Sequence, residues 1–255
     1  MQRVLFHDTI FGPIHSRRLG TSLGVNLTPN DGKICTFDCL YCEAGFNSQG
    51  PGTGGLTPRA EVRQQLEDTL VTMRGDGMGL DVITFSGNGE PTIHPQFGDI
   101  VDDVIALRDK YYPHAKVSVL TNSTRCHDPK VVSALKRVDN NIVKLDSAIE
   151  STFKALDRPC DPTLTPGRIV EMLKQFGKRC IIQTMFVRSP HLDNTVDDEV
   201  EALCEAYRAI NPGSIMIYSL DRPTPDHTLT RVSPDELTAL ARRIEEATGV
   251  TVHGY

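Results

Sequence analysis

The chain has 255 residues, a formal net charge of −6, 39% hydrophobic residues and 24% charged residues. This composition is ordinary for a globular protein and excludes a mostly disordered chain, while the acidic balance argues against coating nucleic acid by charge alone. No apolar run approaches the roughly 18 residues that span a bilayer, and residues 1–12 lack the pattern of a secretory signal. We therefore expect a cytoplasmic protein with no membrane partner.

Short β-branched runs alternate with longer amphipathic stretches, which is typical of strands that are each followed by a helix. The predicted strands are 24–27, 82–86, 116–121, 142–146, 180–187 and 214–220. The predicted helices are 58–73, 95–112, 129–136, 151–156, 165–176, 195–210 and 234–248. Thr57, Asp128 and Ser233 are expected to cap three of these helices. Six strand–helix units predict an α/β fold with a parallel sheet, either a partial barrel or a doubly wound sheet.

No change of composition marks a linker, so we expect one domain over residues 1–255. Its core would cover about residues 11–225, and the helix at 233–248 would pack on that core. Residues that can carry chemistry follow the predicted strands, at 35–42, 86–92, 121–124, 146–147 and 219–225. In parallel barrels the chemistry lies at the carboxyl ends of the strands. The sequence therefore predicts one active site on one open face.

Seven cysteines in a chain without a secretory signal favour metal binding or catalysis over disulfides. Cys35, Cys39 and Cys42 form a C-x3-C-x2-C motif, which can place three thiolates around one metal centre. A structural zinc ion would need a distant fourth ligand such as His15. An iron–sulfur cluster with three protein ligands would keep one iron open, as a catalytic site requires. The spacing favours iron–sulfur, and zinc or no metal are the alternatives.

The cysteine motif, with Tyr41 directly before its last cysteine, resembles the signature of radical S-adenosylmethionine (SAM) enzymes. Residues 85–91 (FSGNGEP) look like the Gly-Gly-Glu element of that family, with the departure that Asn88 separates Gly87 from Gly89. Segments 11–20, 22–26, 120–122 and 144–148 resemble the branch that contains the wyosine-base-forming tRNA enzymes. The resemblance covers about residues 11–225 and implies a partial (β/α)6 TIM barrel, the radical SAM core.

The resemblance also implies the cofactors and the reaction. Cys35, Cys39 and Cys42 would ligate a [4Fe–4S] cluster whose open iron chelates SAM. An external one-electron reductant of the flavodoxin or ferredoxin type would drive cleavage of SAM to methionine and a 5′-deoxyadenosyl radical, which abstracts hydrogen from a substrate. The branch implies a nucleoside or tRNA base as substrate, and a small molecule or peptide is the alternative. A non-catalytic iron–sulfur or zinc protein, used for binding or electron transfer, is the alternative of another class.

Several residues are candidate SAM contacts by this resemblance. Gly87, Asn88 and Gly89 would admit the methionine moiety beside the backbone, and Glu90 would orient its amino group. Tyr41 would lie beside the cofactor. The remaining two candidates, Asn122 and Ser147, end strands where they would bind the ribose or the SAM carboxylate, or else cap a helix.

Further charged and polar residues are weaker candidates, and no catalytic residue is assigned. Arg17 and Arg18, with His15, would bind a carboxylate or phosphate, or form a plain surface pair. Lys33 would offset the charge of the cluster. The other candidates for contacts with SAM or substrate are Lys144, Asp146, Gln183, Tyr218 and Asp221.

Overall fold

The computed structural model describes residues 3–16, 18–222 and 224–255. Its strands are β1 (Ile10–Ser16), β2 (Gly20–Val25), β3 (Val82–Phe85), β4 (Lys116–Thr121), β5 (Asn140–Lys144), β6 (Cys180–Met185), β7 (Val187–Ser189), β8 (Leu192–Asp193), β9 (Ser214–Tyr218), β10 (Thr230–Arg231) and β11 (Val252–Gly254). Its helices are α1 (Arg59–Gly75), α2 (Phe97–Tyr111), α3 (Pro129–Leu135), α4 (Glu150–Leu156), α5 (Pro166–Leu173), α6 (Asp197–Ile210) and α7 (Pro234–Thr248). Among the described residues, none of these helices combines the length and apolar character needed to cross a membrane.

Eight strands form one sheet in the order β1-β2-β3-β4-β5-β6-β9-β11. Among the described strands of this sheet, β1 is antiparallel to β2, and all the other neighbouring strands are parallel. Six parallel strands, β2 to β6 and β9, alternate with helices, and this arrangement confirms the partial (β/α)6 barrel. The carboxyl ends of these strands meet at one rim, which is where the site described below lies.

The apolar face of each helix packs on the outside of the sheet. In α1 the buried residues are Val62, Leu66, Leu70 and Met73, a stripe at helical spacing. All four residues of β3 are buried, as expected for a parallel strand covered on both faces. Neighbouring helices α1 and α2, α2 and α3, α5 and α6, and α6 and α7 contact one another, and α7 also contacts β9 and β11.

The structure corrects several predicted boundaries. The first barrel strand is β2 at Gly20–Val25 rather than 24–27, and it is preceded by the unpredicted strand β1. The predicted strand 180–187 is divided, because β6 pairs with β9 and ends at Met185, whereas β7 pairs with β8 and β10 in a separate three-stranded sheet. Strand β11 was also not predicted. Both β1 and β11 are sheet-edge strands with exposed residues, so neither has the continuous apolar run that marked the others.

Two of the three predicted helix caps are confirmed. The Asp128 carboxylate accepts the Lys130 N–H at 2.9 Å, and Ser233 forms a reciprocal capping box with Glu236. The prediction for Thr57 was wrong. Its hydroxyl lies 3.3 Å from the hydroxyl of Thr9, and α1 begins without a side-chain cap.

His94 gives this fold a pH dependence that can be measured. Its Nδ1 accepts the Gln96 N–H at 3.1 Å, so Nε2 carries the proton and donates it to the Thr57 carbonyl at 3.0 Å. Burial lowers the pKa of His94, against the opposing hydrogen bond to Thr57. The neutral ring is therefore the folded form, and its contribution to stability is present above about pH 6.5 and lost as the pH falls below it.

We expect the free energy of unfolding of the cluster-free wild type, relative to that of His94→Asn, to fall between about pH 7.5 and about pH 5.5, because the other titrating groups act equally in both proteins. In His94→Asn the same pH change should cost less, although the variant starts from a lower stability at the higher pH. Urea denaturation at both pH values measures the two slopes. Identical slopes in variant and wild type would show that His94 does not contribute to the pH dependence.

Candidate functional site

The loop that follows β2 carries the three cysteines of the motif, and it is fixed against the segment that follows β3. Ile34 donates its N–H to the Asn88 carbonyl at 3.2 Å and accepts the Glu90 N–H at 3.0 Å. These two bonds extend the parallel pairing of β2 and β3 beyond the ends of the strands. Cys35 is the next residue, so the structure brings the cysteine motif directly beside Glu90.

The cysteine loop contains one buried lysine. Lys33 is 3% exposed, donates to the Gly45 carbonyl at 2.7 Å and lies 3.4 Å from the Asp38 carboxylate. Burial alone would lower the pKa of Lys33, but Cys42, Cys35 and Cys39, as thiolates, raise it above its ordinary value. The structure therefore places one buried cation within the electrostatic reach of the three cysteines. Lys33 is the residue that was predicted from the sequence to offset the charge of the cluster.

Two of the three thiols in the motif are deeply buried. Burial raises the pKa of Cys35 to about 12 and that of Cys39 well above its ordinary value, so both are protonated thiols until a metal displaces the protons. Among the residues that the structure describes, no three His, Cys, Asp or Glu side chains converge as ligands of a single ion. A cubane differs from a single ion in this respect, because it spreads its thiolate ligands over separate irons.

Glu90 is a buried carboxylate at the rim of the barrel. It accepts the Thr121 hydroxyl and the Asn122 N–H, both at 2.7 Å, and the Thr92 hydroxyl at 2.5 Å. Burial raises the pKa of Glu90, and these hydrogen bonds oppose the increase. Its charge also helps to raise the pKa of Cys35, so the carboxylate lies near that thiol.

Asn122 also reaches the cysteine loop. Its Nδ2 donates to the Thr36 hydroxyl at 2.8 Å and lies 3.5 Å from the Cys35 sulfur. Its Oδ1 accepts the N–H and the hydroxyl of Thr124. The ends of β3 and β4 therefore fix the first cysteine from two sides.

Positions 87 and 89 require glycine, because neighbouring protein atoms occupy the space that a Cβ would take. A Cβ on Gly87 would lie 2.1 Å from the Asn26 side chain, and one on Gly89 would lie 1.8 Å from the Ile34 carbonyl oxygen. Asn88 is fully buried and pairs with both backbone groups of Phe6, at 2.9 and 2.7 Å. These contacts give the segment a structural task, and its contact with a cofactor stays a prediction.

Ser147 forms a local turn in this structure. Its hydroxyl donates to Glu199 on α6 at 2.6 Å and accepts the Ile149 N–H at 3.0 Å, before α4 begins. The helix-cap alternative was wrong, because Ile149 occupies the N-cap of α4 and no side chain caps that helix. The position of Ser147 as a SAM contact stays a prediction.

A buried charge network lies on the barrel side of the site. Lys144, at the end of β5, lies 2.5 Å from Asp146 and 3.2 Å from Asp157, and its ammonium lies 4.3 Å above the Tyr41 ring. The Tyr41 hydroxyl donates to Asp146, and the Cys39 thiol lies 3.5 Å from Asp157. This network connects the cysteine motif to the interior of the barrel.

Protonation keeps the network close to neutral. Burial raises the pKa of Asp157 to about 8, only partly offset by Lys144. Burial alone would lower the pKa of Lys144, but Asp146 and Asp157 raise it well above its ordinary value. Lys144 is therefore an ammonium ion rather than a free nucleophile. Asp157 was not predicted, because a single aspartate at a helix end has no signal in the sequence.

Next to Tyr41 the barrel contains a cavity of about 340 Å³. Its lining includes the predicted residues Tyr218 and Asp221 together with Arg18 and His15. Gln183 lies on β6 in register with Lys144. The prediction for Arg17 falls outside the described residues.

Comparison with known proteins gives the family. The sequence matches the family model of the radical SAM superfamily over residues 30–207. The chain belongs to the radical SAM superfamily. Its members are enzymes that use a [4Fe–4S] cluster and SAM, and this confirms the resemblance and the cofactors predicted from the cysteine motif.

Relatives of this radical SAM protein include a UPF0026 protein from Helicobacter pylori strain J99, 27% identical over 241 residues, which cover 89% of this chain and 71% of the relative. The fold is similar to that of a radical SAM methyltransferase from Sphaerobacter thermophilus, with a TM-score of 0.67 and 15% identity over 92% of this chain. The chain spans 65% of the length of that methyltransferase. It is also similar to TYW1 with a lysine-pyruvate adduct bound, with a TM-score of 0.60 and 15% identity, covering 90% of this chain and 75% of TYW1.

A methyl group at Gly89 should disturb the radical SAM site. In Gly89→Ala the new Cβ meets the backbone of Ile34, which has no flexible end that can move aside. We expect a loss of about 1–3 kcal/mol in the free energy of unfolding and reduced incorporation of iron and sulfide. Urea denaturation and iron analysis measure the two effects.

Gly75 provides the matched control, because it ends α1 and no atom lies within 4 Å of an added Cβ. Gly75→Ala should leave iron content unchanged and stabilise the protein by up to about 1 kcal/mol. If Gly89→Ala behaves like Gly75→Ala, the cysteine loop does not depend on this close contact.

Proposed function

We propose that Cys35, Cys39 and Cys42 ligate the [4Fe–4S] cluster and that the enzyme uses SAM to abstract a hydrogen atom from a small organic substrate. The position of the cysteine loop supports this proposal, because Ile34 fixes it beside Glu90, Asn122 reaches the Cys35 sulfur, and the loop holds the buried Lys33. When the cofactors are bound and an external flavodoxin- or ferredoxin-type donor supplies one electron, they provide a 5′-deoxyadenosyl radical. The residues of this chain bind and orient the cofactors and the substrate.

Each polar residue around the motif has a distinct task in this proposal. The Lys33 ammonium offsets the negative charge that three thiolates bring into a buried space. The Glu90 carboxylate, fixed by hydrogen bonds from Thr121 and Asn122, orients the SAM amino group. Asn122 also donates toward the Cys35 sulfur, a kind of contact that tunes the reduction potential of a cluster.

The remaining predicted SAM contacts follow the carboxyl ends of β2 to β5 at the same rim of the barrel. They are Tyr41, Gly87, Asn88, Gly89, Asn122 and Ser147. Tyr41 is the best supported of them as the residue between cofactor and substrate. It belongs to the cysteine loop, lines the cavity and is fixed by its hydrogen bond to Asp146. An aromatic ring held in this way offers an apolar wall to a ligand in the cavity.

The character of the cavity supports a small molecule over RNA as substrate. The cationic side chains in its described lining are Arg18 and Arg222, with His15 beside them, and the acids Glu43 and Asp221 line it too. RNA binding would call for a surface rich in arginine and lysine. A volume of about 340 Å³ lies within the usual range for small-molecule sites.

The test is anaerobic reconstitution with iron and sulfide, chemical reduction, and assay for 5′-deoxyadenosine in the presence of SAM. We expect SAM cleavage by the wild type and its loss in Glu90→Gln, which removes the orienting charge. Glu150→Gln, on the exposed start of α4, is the matched control and should cleave SAM normally. If the reconstituted wild type neither binds nor cleaves SAM, the non-catalytic alternative replaces this proposal.

A further inference from the structure

Arg18 is the side chain in the cavity whose contacts least explain its presence. Its Nη1 atom is buried and has no hydrogen-bond partner. Its guanidinium lies over the ring of Tyr218, 4.9 Å from the ring centre. Buried guanidinium N–H groups are normally paired, and leaving one unpaired is costly. Arg18 also lines the cavity, so an anion bound there can reach its guanidinium.

The other described arginine and lysine side chains near the cavity already have anionic partners. Arg222 lies 2.9 Å from Glu43, and Lys144 lies within 3.2 Å of both Asp146 and Asp157. Within the described part of the chain, no carboxylate forms an ion pair with Arg18, although Asp221 lines the same cavity. The positive charge of Arg18 is therefore available to a ligand.

The Tyr218 ring fixes where this charge can act. Tyr218 ends β9 at the rim of the barrel, and burial raises the pKa of its hydroxyl to about 12, so the ring stays neutral. A guanidinium stacked on a neutral ring keeps its edge free for hydrogen bonds in its plane. Tyr41 of the cysteine loop lines the same cavity, so a ligand bound at Arg18 shares this space with the cysteine motif.

We propose that the substrate is a small organic anion whose carboxylate or phosphate is bound by Arg18. The planar fork of arginine matches both groups through two parallel hydrogen bonds. This inference rests on the proposed function, since it assigns a substrate class to the same site. The sequence left two interpretations of Arg17 and Arg18, binding of a carboxylate or phosphate and a plain surface pair. For Arg18 this inference favours the first.

Anaerobic calorimetric titration of the cluster-loaded protein tests this proposal with simple probes. Benzoate and phenyl phosphate carry the two anionic groups, and benzamide is a neutral ligand of nearly the same shape as benzoate. We expect at least one anion to bind at least tenfold more tightly than benzamide, and the tighter one identifies the group. Equal affinities for all three probes overturn the proposal.

Variants then assign the effect to Arg18. Arg18→Gln should remove the preference for the anion, and Arg18→Lys should keep part of it, because the charge remains without the fork. Arg242→Gln removes the same charge from the solvent face of α7 and should bind the anion like wild type. If Arg18→Gln binds the anion as tightly as wild type, the proposal fails. If Arg18→Gln does not fold, the lysine variant and the wild-type probe ratios decide.

SAM also carries a carboxylate, so its own binding must be separated from this site. We expect wild-type protein saturated with SAM to bind the anion unchanged. If SAM displaces the anion, Arg18 belongs to the SAM site and the proposal is wrong. The proposed function is judged apart from this, by formation of 5′-deoxyadenosine in the wild type. Anion binding without SAM cleavage would defeat that function alone.

Discussion

Replacing Cys35, Cys39 or Cys42 with alanine should abolish the cluster. Each thiol is one of three proposed protein ligands, and two of them are so buried that they become thiolates only when a metal is bound. With two ligands left, the iron and sulfide content of the reconstituted protein should fall to background. The broad visible absorption of the cluster should disappear as well. Iron and sulfide analysis after anaerobic reconstitution measures both.

Cys160 is the matched control for these variants. It is exposed, and its thiol lies 3.6 Å from the Cys35 carbonyl and 3.3 Å from the Asn47 side chain. It is thus a fourth thiol close to the motif, but in the proposed radical SAM site it is not a ligand. Cys160→Ala should keep the full iron content and SAM cleavage. A loss of iron equal to that in Cys39→Ala would make Cys160 a fourth ligand and favour the non-catalytic alternative.

The convergence of the candidate residues could be predicted from the sequence, because parallel strands all present their carboxyl ends at one rim. Cys35, Glu90, Asn122 and Asp146 follow four different strands, and the structure brings them to that rim. The direct hydrogen bonds from Glu90 and Asn122 toward the cysteine loop follow from this topology. The order of the strands and the residue types at their ends were sufficient for this part of the prediction.

The individual side-chain contacts were less accessible, because their partners lie far away in the chain. Ser147 pairs with Glu199, 52 residues later, and Asn88 pairs with Phe6, 82 residues earlier. Asp157 reaches Lys144 and Cys39 only because the loop after α4 packs on the cysteine loop. A rule based on strand ends finds the rim, but it cannot say which polar side chains there are already paired with one another.

The edge strands were missed for a different reason. Periodicity identifies strands that are covered on both faces, and β1 and β11 are exposed on one side. Strand β1 places His15 at the cavity, and Tyr255 directly after β11 lines the same space. The two edges of the open sheet therefore shape the proposed substrate cavity with residues that the strand pattern did not mark.

Lys144→Met should strongly destabilise the protein, because it removes the cation from a buried charge network. The side chains of Lys144, Asp146 and Asp157 are only 13%, 0% and 1% exposed. Removing the ammonium leaves a carboxylate buried without its partner, which typically costs about 3–5 kcal/mol in the free energy of unfolding. Asp157 adds little to the uncompensated charge at neutral pH, because burial raises its pKa to about 8. Urea denaturation of the cluster-free, thiol-reduced protein measures the loss.

Lys154→Met is the control that separates the effect of burial from the effect of losing a positive charge. Lys154 pairs with Glu150 at 2.5 Å on the same helix, but the two side chains are 42% and 54% exposed. Water screens this pair, so its loss should cost only about 0.3–0.5 kcal/mol. Equal losses in the two variants would mean that water reaches Asp146 and Asp157, and the barrel would then be more hydrated beside Tyr41 than its packing shows. A large loss confined to Lys144→Met would establish that Lys144 stabilises the protein through its buried network with Asp146 and Asp157, from which water is excluded.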